Sequence, residues 1–579
     1  MVDKLCVDEK EVSWSKKAEM FFADGDISNM RACGREILDI NKNSAEGWAV
    51  VAEASVYLQE YDKAEEALDK LWKLKSQKYV SGANLRGLFA TAAFYGAQFQ
   101  LDKAMTAYKQ LFYRFETGLK AGSWDEPSYS IMERGYAFYA DACLLAGVPD
   151  KAAEAAFKAS HTTGDLQRKA VYHGKALFLT NYRESGTARQ LERHREYGAL
   201  LRTEMKFPHD REKRMNPHSL RIGYISPDFR LHAAAYFFTP LLKFANKNQF
   251  SVYAYFTGNA DHVTQRFKDM VDVWRDVQNK TPFQIAHQIF DDHIDILVDL
   301  SGHSENSCLP VLSYRPAPVQ VSGIGYINTT GLDEVDYFLT DRVCCPDGDF
   351  ARSFSEKPLL IGDCHLCFNP LTLRRLKAVG HDTPAKANGY ITYGCFNNFA
   401  KVTDDMLLMW RNILDGNPSK LVLKNKTCSI ESGRKIIMDR FRRIGGDLSK
   451  IELRPFSQDY LAQYDDIDIA LDTSPYAGGL TTCDALSMGV PVITMAGWSH
   501  GSRYGETILR AAGLPELISK DDRTYVGKAI QLGQKIDQLN ELHHELPAQL
   551  RQSRLMDNKS YMMDIESGYD RIWKAYCKV

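Results

Sequence analysis

Two threonines and an aspartate, set behind a glycine-containing loop, have the types and spacing to do chemistry in this sequence. They lie in Asp468-Ile-Ala-Leu-Asp-Thr-Ser-Pro-Tyr-Ala-Gly-Gly-Leu-Thr-Thr-Cys-Asp484. The stretch reads strand, loop, helix, and Val490-Pro-Val-Ile-Thr494 reads as the next strand. The short apolar run ending at Leu471 suits a buried parallel strand. Pro475, Gly478 and Gly479 break it, and a helix starts near Thr481 and Thr482. A loop that feeds a helix N-terminus leaves backbone N–H groups and the positive end of a dipole free for phosphate. The threonines add hydroxyl donors, and Asp484 in the first turn could accept hydrogen bonds from ribose hydroxyls. An ordinary strand–helix turn with no ligand is the plainer alternative.

Such groups need strands to position them. Leu220-Arg-Ile-Gly-Tyr-Ile-Ser226, Phe250-Ser-Val-Tyr-Ala-Tyr-Phe256, Ile294 to Leu300, Val319 to Gly323 and Tyr337 to Thr340 are short apolar runs alternating with helical stretches. A second series begins at Tyr390 and runs through Lys420 to Leu423, Ile451 to Leu453 and the opening stretch. This alternation predicts two doubly wound, Rossmann-like lobes with parallel sheets. Ligands bind such lobes at the C-terminal ends of the strands. His232, His303, Asn398, Lys401, Thr481 and Asp484 all fall there.

The first 190 residues differ. Tyr61-Asp-Lys-Ala-Glu-Glu-Ala-Leu68, Leu101-Asp-Lys-Ala-Met-Thr-Ala-Tyr108 and Pro149-Asp-Lys-Ala-Ala-Glu-Ala-Ala156 place alanine and apolar residues at helical spacing after what reads as an Asp-Lys turn. A weaker unit spans about Trp14 to Asn43. The pattern resembles the tetratricopeptide helix pair, an all-α repeat that stacks into a peptide-binding surface. The alternative is a helical bundle that only props up the two lobes. Expected boundaries are 1–190 for the repeat, 191–218 for a polar junction with Pro208 and Pro217, 219–385 and 386–555 for the lobes, and 556–579 for an amphipathic tail packing back on the first lobe.

Composition narrows the function classes. With 579 residues, 44% hydrophobic and 25% charged, the chain is an ordinary globular one. A net charge of −2 implies no broad basic face for nucleic acid. No apolar run of about 18 residues spans a membrane, and no secretory leader is visible. Twelve scattered cysteines suit a reducing cytoplasm. Cys344-Cys345 and Cys364-His-Leu-Cys367 could supply zinc ligands, but adjacent cysteines point opposite ways on a strand. Buried structural cysteines, and no metal, are the expectation.

Several motifs together resemble the SPINDLY/O-GlcNAc transferase family, glycosyltransferase family 41. They are Ser226-Pro-Asp-Phe-Arg-Leu-His232, Asp299-Leu-Ser-Gly-His303, Arg315-Pro-Ala-Pro-Val-Gln320, Asn397-Asn-Phe-Ala-Lys401, Ala470-Leu-Asp-Thr-Ser-Pro-Tyr476, Asp484-Ala-Leu-Ser-Met-Gly-Val-Pro491 and His500-Gly-Ser-Arg503. Their order and spacing match over about residues 219 to 579, and members carry tetratricopeptide repeats in front. The resemblance implies an inverting GT-B enzyme, with no cofactor or metal, that moves a sugar, most simply GlcNAc, from a UDP-sugar to Ser or Thr of a protein held by the repeat. Homo-oligomers are compatible with it. An asparagine-directed N-glucosyltransferase using UDP-glucose, or a non-catalytic scaffold, are the alternatives.

By the same resemblance, Lys401 meets the diphosphate and Asn398 lies beside it. Thr481 and Thr482 cap the phosphates, Asp484 holds the ribose, and Tyr460 stands where a base-stacking histidine is usual. His232 is the first candidate for a base, and His303, Thr329 and Thr330 are expected in the sugar and acceptor pocket. Lysine and a helix N-terminus would place positive charge where a leaving diphosphate develops negative charge, which can replace a metal. The family's Gly-Tyr-Pro-Gly-Thr-Thr-Gly loop reads Gly325-Tyr-Ile-Asn-Thr-Thr-Gly331 here, and its threonine run reads Gly479-Leu-Thr-Thr482. These departures bear on sugar identity more than on nucleotide binding.

Overall fold

The computed structural model describes residues 2–74, 82–120, 126–183, 187–210, 219–346, 350–370 and 380–578. The chain divides into two compact units, one of residues 1–176 with 430–436 and one of residues 177–429 with 437–579.

The first unit is helical: α1 (Val2–Ala23), α2 (Ile27–Ile40), α3 (Ala45–Tyr57), α4 (Tyr61–Leu74), α5 (Gly82–Ala97), α6 (Leu101–Lys120), α7 (Glu126–Leu145), α8 (Pro149–Thr162) and most of α9 (Leu166–Thr180). Consecutive helices pair, and the first members stack, α1 on α3, α3 on α5 and α5 on α7. Small side chains allow this approach. A Cβ on Gly34 would sit 2.8 Å from Val51 and 3.1 Å from the Gly47 carbonyl.

The Asp-Lys pairs do not form turns, as the sequence suggested. Asp62, Asp102 and Asp150 lie in the first turns of α4, α6 and α8. Their negative charge complements the positive end of the helix dipole there. The turns sit just upstream, at Gly25, Gln59, Phe99 and Gly147, each left-handed. The next residue's N–H bonds back to Phe21, Ser55, Tyr95 and Cys143 carbonyls at 2.8 to 2.9 Å, the Schellman closure.

The second unit opens with α10 (Ala188–Leu201), which occupies part of the stretch expected as a junction. Residues 211–218 of that stretch, with Pro217, lie outside the described residues. Seven parallel strands come next: β1 (Leu220–Ser226), β2 (Phe250–Phe256), β3 (Val273–Asp276), β4 (Ile296–Asp299), β5 (Val319–Gly323), β6 (Tyr337–Thr340) and β7 (Lys357–Leu360), ordered β3-β2-β1-β4-β5-β6-β7. A second parallel sheet contains β8 (Ile391–Cys395), β9 (Ser419–Lys424), β10 (Ile451–Arg454), β11 (Ile469–Leu471), β12 (Val492–Met495) and β13 (Ile518–Ser519), ordered β10-β9-β8-β11-β12-β13. The architecture is a helical repeat followed by two Rossmann-like lobes of GT-B type.

Central strands such as β4, β5 and β8 are buried throughout. β3 and β7, which the apolar pattern did not reveal, are sheet edges, where exposure dilutes that pattern, and β13, also missed, is an edge strand of only two residues. The last helix, Asn558–Lys578, lies on the first lobe, with Tyr569 Oη 3.2 Å from Tyr224 Oη.

Candidate functional site

Each lobe ties down the loop after its central strand with a buried aspartate. In the first lobe, Asp299 at the end of β4 accepts from Ser301 N, Gly302 N and the Ser301 and Ser322 hydroxyls at 2.7 to 3.1 Å. In the second, Asp472 just after β11 accepts from Thr473 N (2.8 Å), Gly478 N (2.7 Å) and Thr494 Oγ1 (2.7 Å). Burial pushes both carboxyls up. The second loop is thereby wrapped tightly enough to require glycine. A Cβ on Gly478 would sit 2.6 Å from Thr481 Oγ1 and 2.9 Å from Asp472 Oδ1.

The loop delivers the chain into the helix Leu480–Ser487, whose start at Gly479 has no side-chain cap. Its first-turn N–H groups therefore keep their capacity for an anion. Thr482 Oγ1 donates to Gly478 O at 3.2 Å, and Thr481 Oγ1 to Asn397 Oδ1 at 2.9 Å.

Lys401 reaches the same loop from the other side. It ends the short 3-10 turn Phe399–Lys401 after β8, which exposed Asn398 caps by accepting from Ala400 N at 3.1 Å. Lys401 Nζ donates to Ala477 O at 3.0 Å and lies 4.1 Å from the centre of the Tyr476 ring. Burial pulls its pKa down to about 8, and Asp472 offsets this only in part. Tyr182, 5.2 Å ring to ring from Tyr476, and Arg183, donating to Ala400 O at 3.1 Å, prop the assembly from beyond α9. No sequence pattern marks those two residues.

Asp484 is buried, and Tyr460 Oη donates to its carboxylate. Tyr460 thus fixes the acidic group through its hydroxyl. Beside it, buried Lys424 ends β9 with its Nζ 5.6 Å from the Tyr460 ring and 5.2 Å from that of exposed Phe456. Burial lowers the Lys424 pKa. This second cation was missed because it terminates an apolar run without any motif around it.

His232 lies in the loop after β1, half-exposed, with Nδ1 3.4 Å from Asp228 Oδ2 and 3.3 Å from Ala234 N. Burial lowers the pKa of His232, the Asp228 charge opposing it, while burial raises that of Asp228. The imidazole is neutral and basic at ordinary pH, with a carboxylate alongside to stabilise a proton once taken.

His303, Thr329 and Thr330 do not line an open pocket. All three are buried in the core of the first lobe. His303 Nε2 meets Thr330 O at 2.8 Å, with the Tyr197 ring 4.5 Å away. Thr329 Oγ1 donates to Glu356 at 2.7 Å, and Thr330 donates to the same carboxylate through its N–H and hydroxyl. The departures in this loop are packing residues as well. Asn328 Nδ2 donates to Asn181 and Gln190 at 3.0 and 3.1 Å, and Ile327 packs on Gly501. Buried threonines need acceptors, and a buried glutamate needs donors, so the pairing holds them inside.

The model of glycosyl transferase family 41 matches residues 196–386 and 380–565. The curated protein "Probable UDP-N-acetylglucosamine--peptide N-acetylglucosaminyltransferase SPINDLY" of Arabidopsis thaliana is 36% identical over 413 residues, 69% of this chain and 45% of that protein. Its namesake in Oryza sativa subsp. japonica is 35% identical over 413 residues, again 69% of this chain and 44% of the relative. The chain therefore spans less than half the length of these curated relatives. A solved O-GlcNAc transferase variant from Thermobaculum terrenum superposes with a TM-score of 0.71 at 25% identity, covering 99% of both chains.

Proposed function

The chain belongs to glycosyltransferase family 41, and from that membership we propose that it is an inverting protein glycosyltransferase. It transfers a sugar, GlcNAc first among candidates, from a UDP-sugar to serine or threonine of a protein. One observation carries the reading: Lys401, a cation short of counter-charge, is aimed at the loop that opens the uncapped helix Leu480–Ser487.

In the proposed reaction an acceptor hydroxyl attacks the anomeric carbon from the face opposite the nucleotide. The bond from that carbon to the phosphate oxygen breaks, and UDP departs with the electron pair. Lys401 and the first-turn N–H groups stabilise the charge that gathers on the diphosphate, the term that usually contributes most to catalysis. Thr481 and Thr482 supply hydroxyls to the same phosphates, and Asn398 stands beside them. Asp484, held by Tyr460, accepts from the ribose. His232 takes the acceptor proton, with Asp228 stabilising the imidazolium that forms. The reaction requires no metal in this scheme. The helical repeat supplies the surface for the acceptor protein. Among the described residues no helix is long and apolar enough to cross a membrane. Ten of the eleven cysteines described are buried, which suits a cytoplasmic setting.

The test is incubation with UDP-GlcNAc, UDP-glucose and GDP-fucose in the presence of cell protein, read by intact mass and fragmentation. Added HexNAc on Ser or Thr supports the reading, and a hexose on Asn replaces it with N-glucosylation. Binding of UDP with no transfer from any donor would leave a scaffold.

A further inference from the structure

Three side chains that the proposed transfer does not use come together where the two lobes meet. Cys344 comes after β6, His365 after β7, and His500 after β12 of the other sheet. One ligand atom from each lies within 4.8 Å of the other two, and all three residues are buried, His365 at 0% exposure and His500 at 5%.

The orientation of both rings is fixed from behind. His365 Nδ1 is 2.5 Å from Asp341 Oδ2, which places the proton on Nδ1 and leaves the Nε2 lone pair free. Asp341 is itself held by Cys344 N at 2.7 Å, His365 N at 2.9 Å and Thr507 Oγ1 at 2.9 Å. His500 Nε2 lies 3.0 Å from Thr340 Oγ1. With that hydroxyl donating to Asp341 O (3.4 Å) and the imidazole donating to the hydroxyl, Nδ1 keeps a lone pair. His365 Nε2 and His500 Nδ1 are both buried without a hydrogen-bond partner. A hydrogen bond to the Ile327 carbonyl favours a proton on the His500 ring, although none of regular geometry reaches Nδ1. Two buried ring nitrogens without regular hydrogen bonds, beside a thiol and each backed by a fixed partner, have the arrangement of metal ligands.

We propose that Cys344, His365 and His500 bind a zinc-class divalent cation that staples the two lobes together. One thiolate and two imidazoles are borderline-soft ligands, which favour zinc over magnesium or calcium. Binding releases the Cys344 proton to solvent and places a dication against one thiolate and, one shell out, the Asp341 carboxylate, so charge balances. Without the ion, burial and Asp341 hold the thiol well above its usual pKa, and burial holds His500 neutral with a pKa of about 3. The ion is structural: its ligands include none of the residues assigned to the nucleotide or the acceptor. Cysteine spacing alone pointed to Cys364 and Cys367 as partners, whereas the geometry selects histidines.

The test uses the full chain, purified without chelator, with metal measured by mass spectrometry. About one zinc per chain is expected. Cobalt added to the chelator-stripped protein should give a thiolate-to-cobalt charge-transfer band. Cys344→Ser should abolish the band, while Cys345→Ser should keep it. Asp341→Asn, which frees the His365 ring, should weaken zinc about tenfold or more. Chelation should lower the melting temperature of the parent and leave that of Cys344→Ser unchanged. If zinc-incubated, desalted parent protein retains no zinc and shows no cobalt band, the proposal fails. The same holds if Cys344→Ser retains as much zinc as the parent. Should that variant not fold, the cobalt titration of the parent alone decides. UDP binding is not a readout here, so failure of the metal site and failure of the transferase reading are separable.

Discussion

Arg86 in the helical unit and Lys401 in the second lobe are both withdrawn from water, yet their surroundings treat them in opposite ways. Arg86 is 1% exposed and meets three carboxylates, Glu19 at 2.5 Å, Glu53 at 2.8 Å and Glu46 at 3.0 Å. Arg134 joins the cluster through Glu19 and Glu53, both at 3.0 Å. Burial opposes the charge on Arg86, but the carboxylates outweigh it and its pKa is raised. Against the same burial, the two guanidiniums hold Glu19 far below the carboxylate range. Lys401 has a carbonyl, an aromatic face and the more distant Asp472, and its pKa falls to about 8. A cation whose counter-charges are built in serves the fold. One that lacks them is poised for a charge that arrives later.

The sharpest way to break this contrast is to remove each cation. Arg86→Met should cost roughly 3–5 kcal/mol of stability, since it strands buried carboxylates, and urea unfolding followed by helical circular dichroism would show it. Lys401→Met should leave stability within about 1 kcal/mol of the parent, because it removes a desolvated charge with little compensation. Its turnover should nevertheless fall about 10²–10³-fold, the usual loss for one electrostatic stabiliser of a leaving group. If Lys401→Met unfolds the protein as Arg86→Met does, both cations are structural and the functional reading of the cleft is lost.

Proton linkage gives a smaller and finer test. The folded pKa of Lys401, about 8, lies below its unfolded value of roughly 10.4. Between those values the unfolded chain holds a proton that the folded chain lacks, so the contribution of this lysine to stability rises with pH across that window. A bound diphosphate restores the charge, so UDP affinity should fall by up to about tenfold per unit as pH climbs above 8. Calorimetric titration from neutral to alkaline pH should show proton uptake on binding, and Lys401→Met should abolish it. A pH-independent affinity in the parent would mean that the lysine is already charged when free. Arg86 should contribute no slope in this range, its charge being permanent.

The legible parts of this molecule are those where one local rule decides. Central strands announced themselves because both faces are buried, and the glycine loop before Thr481 because a tight turn into a helix has few solutions. The burial of His303, Thr329 and Thr330 was not legible because a motif gives position along the chain and not the side from which partners come. Their acceptor, Glu356, sits 26 and 27 residues downstream of the two threonines, beyond any local pattern. Tyr182 and Arg183 escaped notice for the same reason, being joined to Tyr476 and Ala400 only by the fold. The Cys344 cluster was half legible: the thiol was flagged, but His500 arrives from the other lobe.

The smallest expected effect turns on backbone rather than charge, and again sets the helical unit against the nucleotide loop. Four helical hairpins close through a left-handed residue, which is glycine at Gly25 and Gly147 but Gln59 and Phe99 at the other two. Phe99 is 56% exposed, so its ring contributes little packing while its backbone bears the left-handed cost of roughly 1 kcal/mol. Phe99→Gly should relieve that cost, less the entropy glycine gains when unfolded, for a net gain of about 0.5 kcal/mol. Gly478→Ala should go the other way: the added methyl has to displace the Thr481 and Thr482 hydroxyls, which lie 2.6 and 2.8 Å from its position. UDP affinity should then fall while the melting temperature moves by only a few degrees. Equal losses of stability in both variants would show that the two glycine-type positions are constrained by the same thing. A split, with stability moving at residue 99 and nucleotide affinity at residue 478, would confirm that one turn was selected for shape and the other for the space it leaves to a ligand.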